Sequence, residues 1–480
     1  MSPNKSNALF FGLGALTHEA YDVLDQSFNI IGVINDGDES NLIDKDLLCF
    51  EYQSITSKAL EAHKITQVII ALQHVDHSNL LERIIYLSSL GLEIKTLNLK
   101  STPEYNTSKK FTINNLSFSD LIQIPVPKFN QNLLNQFTNQ TILITGAAGS
   151  IGSELAKMLL NFKLKSLVLL DNAESALYEL QQELIENGVP NIIYTIGDIR
   201  NYERMESVFK THRPNLIFHA AAYKHVPLME EHPIEAILTN ILGTKHIADL
   251  AQKHGANQFI LISSDKAVNP TNVMGATKRV GELYIEHLNV LGNTRYKTAR
   301  FGNVLASNGS VIPLFQKQIE NGGPVTLTDK EIERYFITLQ GACELVLECT
   351  VLKENGSIYV FEMGKPIRIY DLAKLLIRLN KAQHKEEIKI KMIGSRPGEK
   401  IKEELASVEE KLRQTEHKLI KVSQARTQNI DSLDQKISEL CLKSHELSNQ
   451  ELVARIKAIV PEYIPNNPNY KMIAPKPKLS

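Results

Sequence analysis

The 480-residue sequence predicts an α/β protein: two Rossmann-like doubly wound parallel-sheet domains in tandem, the second carrying a smaller substrate-binding C-terminal portion. Three observations predict it. Short apolar runs alternate with amphipathic stretches over residues 7–100 and again from residue 140, the pattern of strands paired in parallel beneath covering helices. Between residues 100 and 140 the composition shifts to Asn, Ser, Pro, Gln and Lys, which marks a connection. The second region then opens on an apolar strand followed by the glycine-rich turn TGAAGSIG.

In chain order, the first region reads ALFFGLGA, a helix-like THEAYDVLDQ, NIIGVIND, QVIIAL and EIKTLNL. Residues 1–105 are expected to form this domain, and residues 106–139 a linker with one short helix around FSDLI. The second region runs from QTILITGAAGSIGSELAKML through SLVLLDN, IIYTIGDI, LIFHAAA and QFILISSD. Beyond about residue 300 the alternation loosens around the turns NGS, NGGP and RPGEK, so residues 140–405 are read as one catalytic domain whose last third covers the substrate. Residues 406–480 are expected to be a helical segment and tail. The charged stretch 405–456 lacks sustained heptads and reads as a solvated bundle.

A formal charge of −1 gives no global attraction to nucleic acid or anionic membranes. Four scattered cysteines (Cys49, Cys343, Cys349, Cys441) with no C-x-x-C pair argue against a zinc site or a disulfide framework and suit a reducing cytoplasm. The N-terminus runs straight into a strand-like segment, and apolar runs such as SLVLL and FILIS fall far short of the roughly 20 residues that cross a bilayer. A soluble cytoplasmic protein without a bound metal is the expectation.

TGAAGSIG places Gly146, Gly149 and Gly152 between a strand and a helix that starts near Ser150 and Ile151. Glycine lets the chain turn sharply, approach a pyrophosphate closely and pack the helix tightly on the sheet. The helix N-terminus then faces the phosphates. Asp171 ends LVLLD about 20 residues further on, where a carboxylate accepts hydrogen bonds from a ribose diol and repels the extra phosphate of NADP. NAD is therefore the expected cofactor. Asp198 and Ile199 in GDI are placed beside an adenine. Ala220, Ala221 and Ala222 in HAAAYKH are small where the cofactor passes. The first region meets the same test less well: Gly12 and Gly14 follow a strand, but Thr17 holds the third position, and Asp36 could meet a ribose. A ligand site and a packing or regulatory domain both remain open there.

At this point six separated motifs carry a resemblance. ILITGAAGSIGSELAKMLL, HAAAYKHVPLMEEHPIEAILTNILGT, ISSDKAVNPTNVMGATKR, RFGNVLASNGSVIPLF, ERYFIT and GSRPGEKIKEEL resemble the nucleotide-sugar 4,6-dehydratases of polysaccharide biosynthesis, within the extended short-chain dehydrogenase/reductase superfamily. The sequence is most similar to the larger UDP-N-acetylglucosamine 4,6-dehydratases, densely over residues 140–405. VPEY near the C-terminus fits as well. That group usually begins with transmembrane helices, where this sequence begins after them. The resemblance therefore leaves the inner face of the membrane as an alternative location.

Lys278 stands four residues after Met274, at the spacing where this superfamily carries a catalytic Tyr and a Lys. The larger dehydratases resemble this sequence in having Met, and the resemblance implies retention at C5. The implied reaction oxidises sugar C4, removes water across C5 and C6, and returns the hydride to C6, so the cofactor is reused. An acid and a base are needed near C5 and C6. SSDK ends the apolar strand FILIS, the position where open parallel sheets bring side chains to a ligand crevice. Asp265 is the candidate acid for the C6 oxygen and Lys266 the candidate base at C5. Ser264 is placed to hydrogen-bond the C4 hydroxyl, whose proton passes to Asp265 directly, through Ser264, or through a water. Lys278 is expected to hold the nicotinamide ribose. Met274 is either a packing residue or one that shapes the substrate site.

By resemblance, Lys224 and Asn303 contact the sugar nucleotide, and Arg334, Arg396 and Glu399 surround its phosphates and uridine ribose. Arginine suits phosphate because its planar fork donates two parallel hydrogen bonds. His219 and His225 follow a strand end and are read as structural before catalytic. A UDP-sugar is the expected substrate, feeding a surface polysaccharide or glycoprotein glycan, and a homo-oligomer the expected assembly. The alternatives are a 4-epimerase and an inactive NAD-binding scaffold.

Overall fold

The computed structural model describes residues 5–11, 24, 27–35, 47–70, 80–100, 110–116, 131–185, 191–305, 307, 309–354, 358–380, 387–423 and 432–473. The chain divides into two compact units. The first holds residues 1–123 with 314–326 and 370–391, and the second holds 124–313, 327–369 and 392–480.

In the first unit six strands form one sheet: β1 (Ser6–Phe11), β2 (Phe28–Asn35), β3 (Leu48–Glu51), β4 (Ile65–Ile70), β5 (Glu93–Lys100) and β6 (Lys110–Asn115), in the order β3-β2-β1-β4-β5-β6. All neighbours are parallel except β5 and β6. Ala8, Phe10, Ile30, Val33, Ile69 and Leu97 form a core on this sheet. The order reverses direction at β1, as in a doubly wound sheet. Residues 110–115, read from sequence as linker, complete this sheet as an antiparallel edge. Gly12, Gly14, Thr17, Asp36 and the FSDLI stretch lie outside the described residues.

Among the described residues, the main sheet of the second unit has nine strands. They are β7 (Thr141–Thr145), β8 (Ser166–Asp171), β9 (Ile192–Ile196), β10 (Leu216–His219), β11 (Gln258–Ser264), β12 (Arg295–Phe301), β13 (Ile358–Phe361), β14 (Leu412–Gln414) and β15 (Ile420–Ser423). Their order is β14-β15-β13-β12-β11-β10-β7-β8-β9. From β9 to β13 the pairing is parallel. Strand β7 is buried at every position and β11 at all but its last, because helices cover both faces. Order reverses between β8 and β10 around β7, so the crevice above the carboxyl ends of β7 and β10 is the place for a ligand.

Two helices frame that crevice. Helix α1 (Ser150–Leu159) buries Gly152, Leu155, Ala156 and Leu159, the spacing of one helical face. Helix α2 (Val273–Leu291) starts at Asn272, whose side chain accepts from the Gly275 amide.

The stretch 405–456 differs from the solvated helical bundle read from sequence. Residues 412–423 form a β-hairpin, and β15 pairs antiparallel with β13. Helices α3 (Leu433–Leu442) and α4 (Asn449–Ile459) bury Ile437, Leu440, Leu452, Val453 and Ile456 in the same cluster as Val280, Tyr284 and Ile285 of α2. Charge density hid an apolar stripe at helical spacing. A buried ionic network also ties this region to the sheet. Arg300 of β12, fully buried, donates to Glu282 of α2 at 2.6 Å and to Glu410 at 2.7 Å. Among the described residues no helix is long and apolar enough to cross a membrane.

Candidate active site

The turn after β7 is shaped for close approach. Gly146 has φ +70°, and a Cβ there would lie 2.6 Å from the Ala221 amide nitrogen, a strained conformation for any other residue. A Cβ on Gly152 would collide with the Gly146 carbonyl oxygen. Gly149 is the N-cap of α1 and supplies no capping side chain, so the first turn of the helix opens toward the crevice. Asp171 closes the other side: its two carboxylate oxygens accept from the amides of Ala148 and Ala173, both at 2.9 Å. These bonds fix the carboxylate while leaving it further acceptor capacity.

A cleft of 260 Å³ runs over this cradle, lined by Gly146, Gly149 and Asp171 on one side. Asp198, Ile199, Ala220, Ala221 and Ala222 line the other. Asp198 is held low: burial opposes its charge, but the Arg200 guanidinium at 2.6 Å overcomes that. The glycine contacts, the open helix end and the anchored carboxylate fit an NAD dinucleotide.

A larger cleft of 570 Å³ shares Gly146 and Gly149 and continues along Ser150, Ile151 and Gly152 to Ser264, Lys266, Met274, Lys278, Asn303 and Lys224. Strand β11 delivers Ser264, and a 3-10 turn, Asp265–Ala267, follows at once. Ser264 Oγ donates to Asp265 Oδ1 at 3.0 Å and accepts from the Lys266 amide at 3.0 Å. Lys266 Nζ donates to Asp265 Oδ1 and to Asn303 Oδ1, each at 3.0 Å. Asp265 is fully buried behind the cleft wall, and its Oδ2 has no hydrogen-bond partner.

Met274 and Lys278 are one helical turn apart on α2, and both face this cleft. Burial pushes the Lys278 ammonium down to about 8, with Glu282 opposing, and its Nζ donates to the Ile262 carbonyl at 2.6 Å. His219 is buried between Thr145 Oγ1 at 2.7 Å and Thr244 Oγ1 at 3.0 Å. Burial and the Lys278 charge drive it down to about 3, so it stays neutral and structural. Lys224 is lowered by burial and by Lys266, and its Nζ lies 3.5 Å from Ser307 Oγ. His225 lines the same wall and is lowered by burial and Lys224.

Arg334, Arg396 and Glu399 do not line this cleft. Arg334 is buried and donates to the carbonyls of Glu333 at 2.7 Å and Ile401 at 3.1 Å. Glu399 accepts from Thr328 Oγ1 at 3.0 Å and from the Arg396 amide at 3.1 Å. The loop carrying Arg396 and Glu399 is pinned through Gly398, whose carbonyl accepts from Thr271 and Asn272 at the start of α2.

Three residues escaped the sequence reading. Asn240 sits in a π-helical stretch, Ile237–Gly243, and clamps both backbone groups of Tyr223 as well as Thr277; π-turns of this kind recur at functional sites. Gly275 lets α2 abut the 265–267 turn, since a Cβ there would strike the Lys266 carbonyl oxygen. Glu403 stands 3.9 Å from Lys266 Nζ and is buried. Gly275 and Glu403 lie within motifs quoted above, but only the folded chain brings them to Lys266.

A dinucleotide cradle at the switch point of a parallel sheet, with a Ser-Asp-Lys turn at a strand tip and a lysine on the next helix, defines the short-chain dehydrogenase/reductase class. Residues 142–425 match the polysaccharide biosynthesis protein family, and the chain belongs to that family. It is 43% identical over 355 residues to the capsular polysaccharide biosynthesis protein CapD of Staphylococcus aureus, covering 72% of this chain and 58% of that protein. The chain thus spans less than two thirds of that relative's length. It is 35% identical over 276 residues to the inverting UDP-N-acetylglucosamine 4,6-dehydratase of Campylobacter jejuni, covering 56% of this chain and 78% of the relative. Against the UDP-glucose 4-epimerase of Rickettsia rickettsii the figures are 36% over 282 residues, 57% and 80%. Among solved structures, Pen from Bacillus thuringiensis is 34% identical with a TM-score of 0.55, covering 60% of this chain and 89% of Pen.

Proposed function

We propose that this chain is an NAD-dependent nucleotide-sugar 4,6-dehydratase that converts UDP-N-acetylglucosamine to its 4-keto-6-deoxy derivative and water. The observation that carries the reading is the Ser264–Asp265–Lys266 turn, with Ser264 and Lys266 on the wall of a cleft continuous with the dinucleotide cradle. When bound, the nicotinamide supplies a reusable hydride carrier.

The protein's own residues handle the protons. Ser264 Oγ meets the C4 hydroxyl and is already hydrogen-bonded to Asp265, which gives that proton a route to the carboxylate. Lys266 takes the C5 proton, exchanges it with solvent, and delivers a proton to C5 at the end. Asp265 hands the C4 proton on to the C6 oxygen through Ser264 or a water, because its own carboxylate lies behind the wall. The C6–O bond breaks and water leaves, with protons balanced. Met274 has no proton to give and fills the wall at C4. Lys224 and Lys278 bring positive charge to the cleft, which suits a diphosphate. Retention at C5 goes with Met274 in this reading.

The second reading, a 4-epimerase, is favoured by the Rickettsia relative, whose identity is similar to that of the dehydratase. An acid–base pair at a strand tip serves elimination and has no task in epimerisation. Incubation with UDP-N-acetylglucosamine separates the two: a product lighter by one water supports the dehydratase, and an isomer of unchanged mass replaces it with the epimerase.

A further inference from the structure

Behind the cleft wall two buried carboxylates flank the side chain of Lys266. Lys266 Nζ lies 3.0 Å from Asp265 Oδ1 and 3.9 Å from Glu403 Oε1. Asp265 Oδ2 and Glu403 Oε2 are both buried, and neither has a hydrogen-bond partner. The Glu403 side chain is only 3% exposed. An orphaned, buried carboxylate oxygen is costly while it is ionised, and two carboxylates in one site do not readily ionise together.

We propose that Glu403 is a positioning residue of the dehydration: held as the neutral acid, it donates its hydroxyl to Asp265 Oδ2 and leaves Lys266 facing one carboxylate charge instead of two. The inference rests on the dehydratase reading and deepens it. A hydroxyl from Glu403 would satisfy the buried Asp265 Oδ2 and hold the carboxylate in place for the C4 proton. It also leaves Lys266 Nζ, 3.9 Å from Glu403 Oε1, to its closer contact with Asp265 at 3.0 Å. The electrostatics agree. Burial and the Asp265 charge raise the Glu403 carboxyl, against the lowering by Lys266, Arg334 and Lys400. Arg334 Nε stands 3.9 Å from Glu403 Oε1, beyond hydrogen-bond distance, while Nη1 donates to two backbone carbonyls. Lys400 donates to Glu404 at 3.0 Å.

The test compares Glu403→Gln with Glu403→Ala in the full chain. Gln keeps a donor without charge, so its kcat should stay within about threefold of wild type, whereas Ala, which offers Asp265 Oδ2 no donor, should lose about tenfold to a hundredfold in kcat with KM unchanged. A fall of kcat in Gln as deep as in Ala, with thermal unfolding unaltered, overturns the proposal, because the charge would then be what matters. A readout independent of turnover is the infrared difference spectrum between wild type and Glu403→Gln at neutral pH. A protonated-carboxyl band lost in the variant supports the neutral acid, and its absence from the difference overturns it. That spectrum is decisive even if wild type releases no water from UDP-N-acetylglucosamine, an outcome that sinks the dehydratase reading instead.

Discussion

Lys266 Nζ reaches Asp265 Oδ1 at 3.0 Å although the two residues are consecutive. In an extended strand neighbouring side chains point to opposite faces, so the pair could not meet there. The strand ends at Ser264 and the chain tightens into a 3-10 turn, which swings Lys266 back toward Asp265. One residue of the pair faces the cleft and the other stands behind it, a division of labour that the linear sequence SDK does not display.

The first prediction concerns that pair. Asp265→Asn keeps the shape and loses the proton acceptor, so turnover of UDP-N-acetylglucosamine should fall by about 10²–10⁴. In a single turnover, nicotinamide absorbance should rise more slowly than in wild type. Lys266→Met should stop deuterium entering C5 from heavy water, read by mass spectrometry of the product. Label incorporated at the wild-type rate excludes Lys266 as the C5 base.

Gly275→Ala is the second. Its new methyl would press on the Lys266 carbonyl oxygen, a backbone atom that cannot rotate away, so the turn bearing Asp265 and Lys266 must shift. Overpacking of this kind typically costs about 1–3 kcal/mol. A reduced melting temperature is expected together with a loss of kcat of tenfold or more, while NAD affinity by calorimetry changes little. Full activity in the variant would show that the turn tolerates displacement.

How much of this was legible beforehand follows from the range of the interactions involved. The cradle around Gly146, Gly149, Gly152 and Asp171 is local in sequence; Gly146 and Gly149 line both clefts, Asp171 the smaller and Gly152 the larger. Glu403 lies far along the chain from Lys266, and only tertiary folding joins them; Asn240 is near Tyr223 in sequence, but only the π-helical turn aims its side chain back at that backbone. Arg334 is read in sequence as a phosphate ligand, and in the fold its Nη1 donates to two backbone carbonyls. The β-hairpin at 412–423 has strands of three and four residues, too short for an alternation to stand out among the charges.

Met274 offers a third test. Its side chain is 3% exposed and forms part of the cleft wall. If it shapes the site and transfers no proton, Met274→Leu, a swap of similar volume costing under about 1.5 kcal/mol, should retain activity within about tenfold. The C5 configuration of the product, assigned by nuclear magnetic resonance, should be unchanged. Loss of all turnover with the fold intact would assign the thioether a chemical part.

The fourth prediction is a pH dependence of stability set by Glu282. Burial alone would raise this carboxyl, but the charge and hydrogen bonds of Arg300, with Arg279 and Ser263, overcome it and hold it at about 2. An unfolded glutamate titrates near ~4.3. The folded value is depressed, so the network's contribution is fully present above ~4.3 and is lost as pH falls toward 2. Glu286 opposes this at higher pH: burial raises it to about 7, so it favours the folded state in acid and less so as pH rises toward neutrality. Comparing wild type with Glu282→Gln isolates the first effect. Leaving Arg300 partly uncompensated should cost about 3–5 kcal/mol at neutral pH, read from urea unfolding. The gap between the two proteins should hold constant down to about pH 5 and close by pH 2. A gap that is independent of pH across that window would mean that packing, and not the carboxylate charge, is what Glu282 contributes.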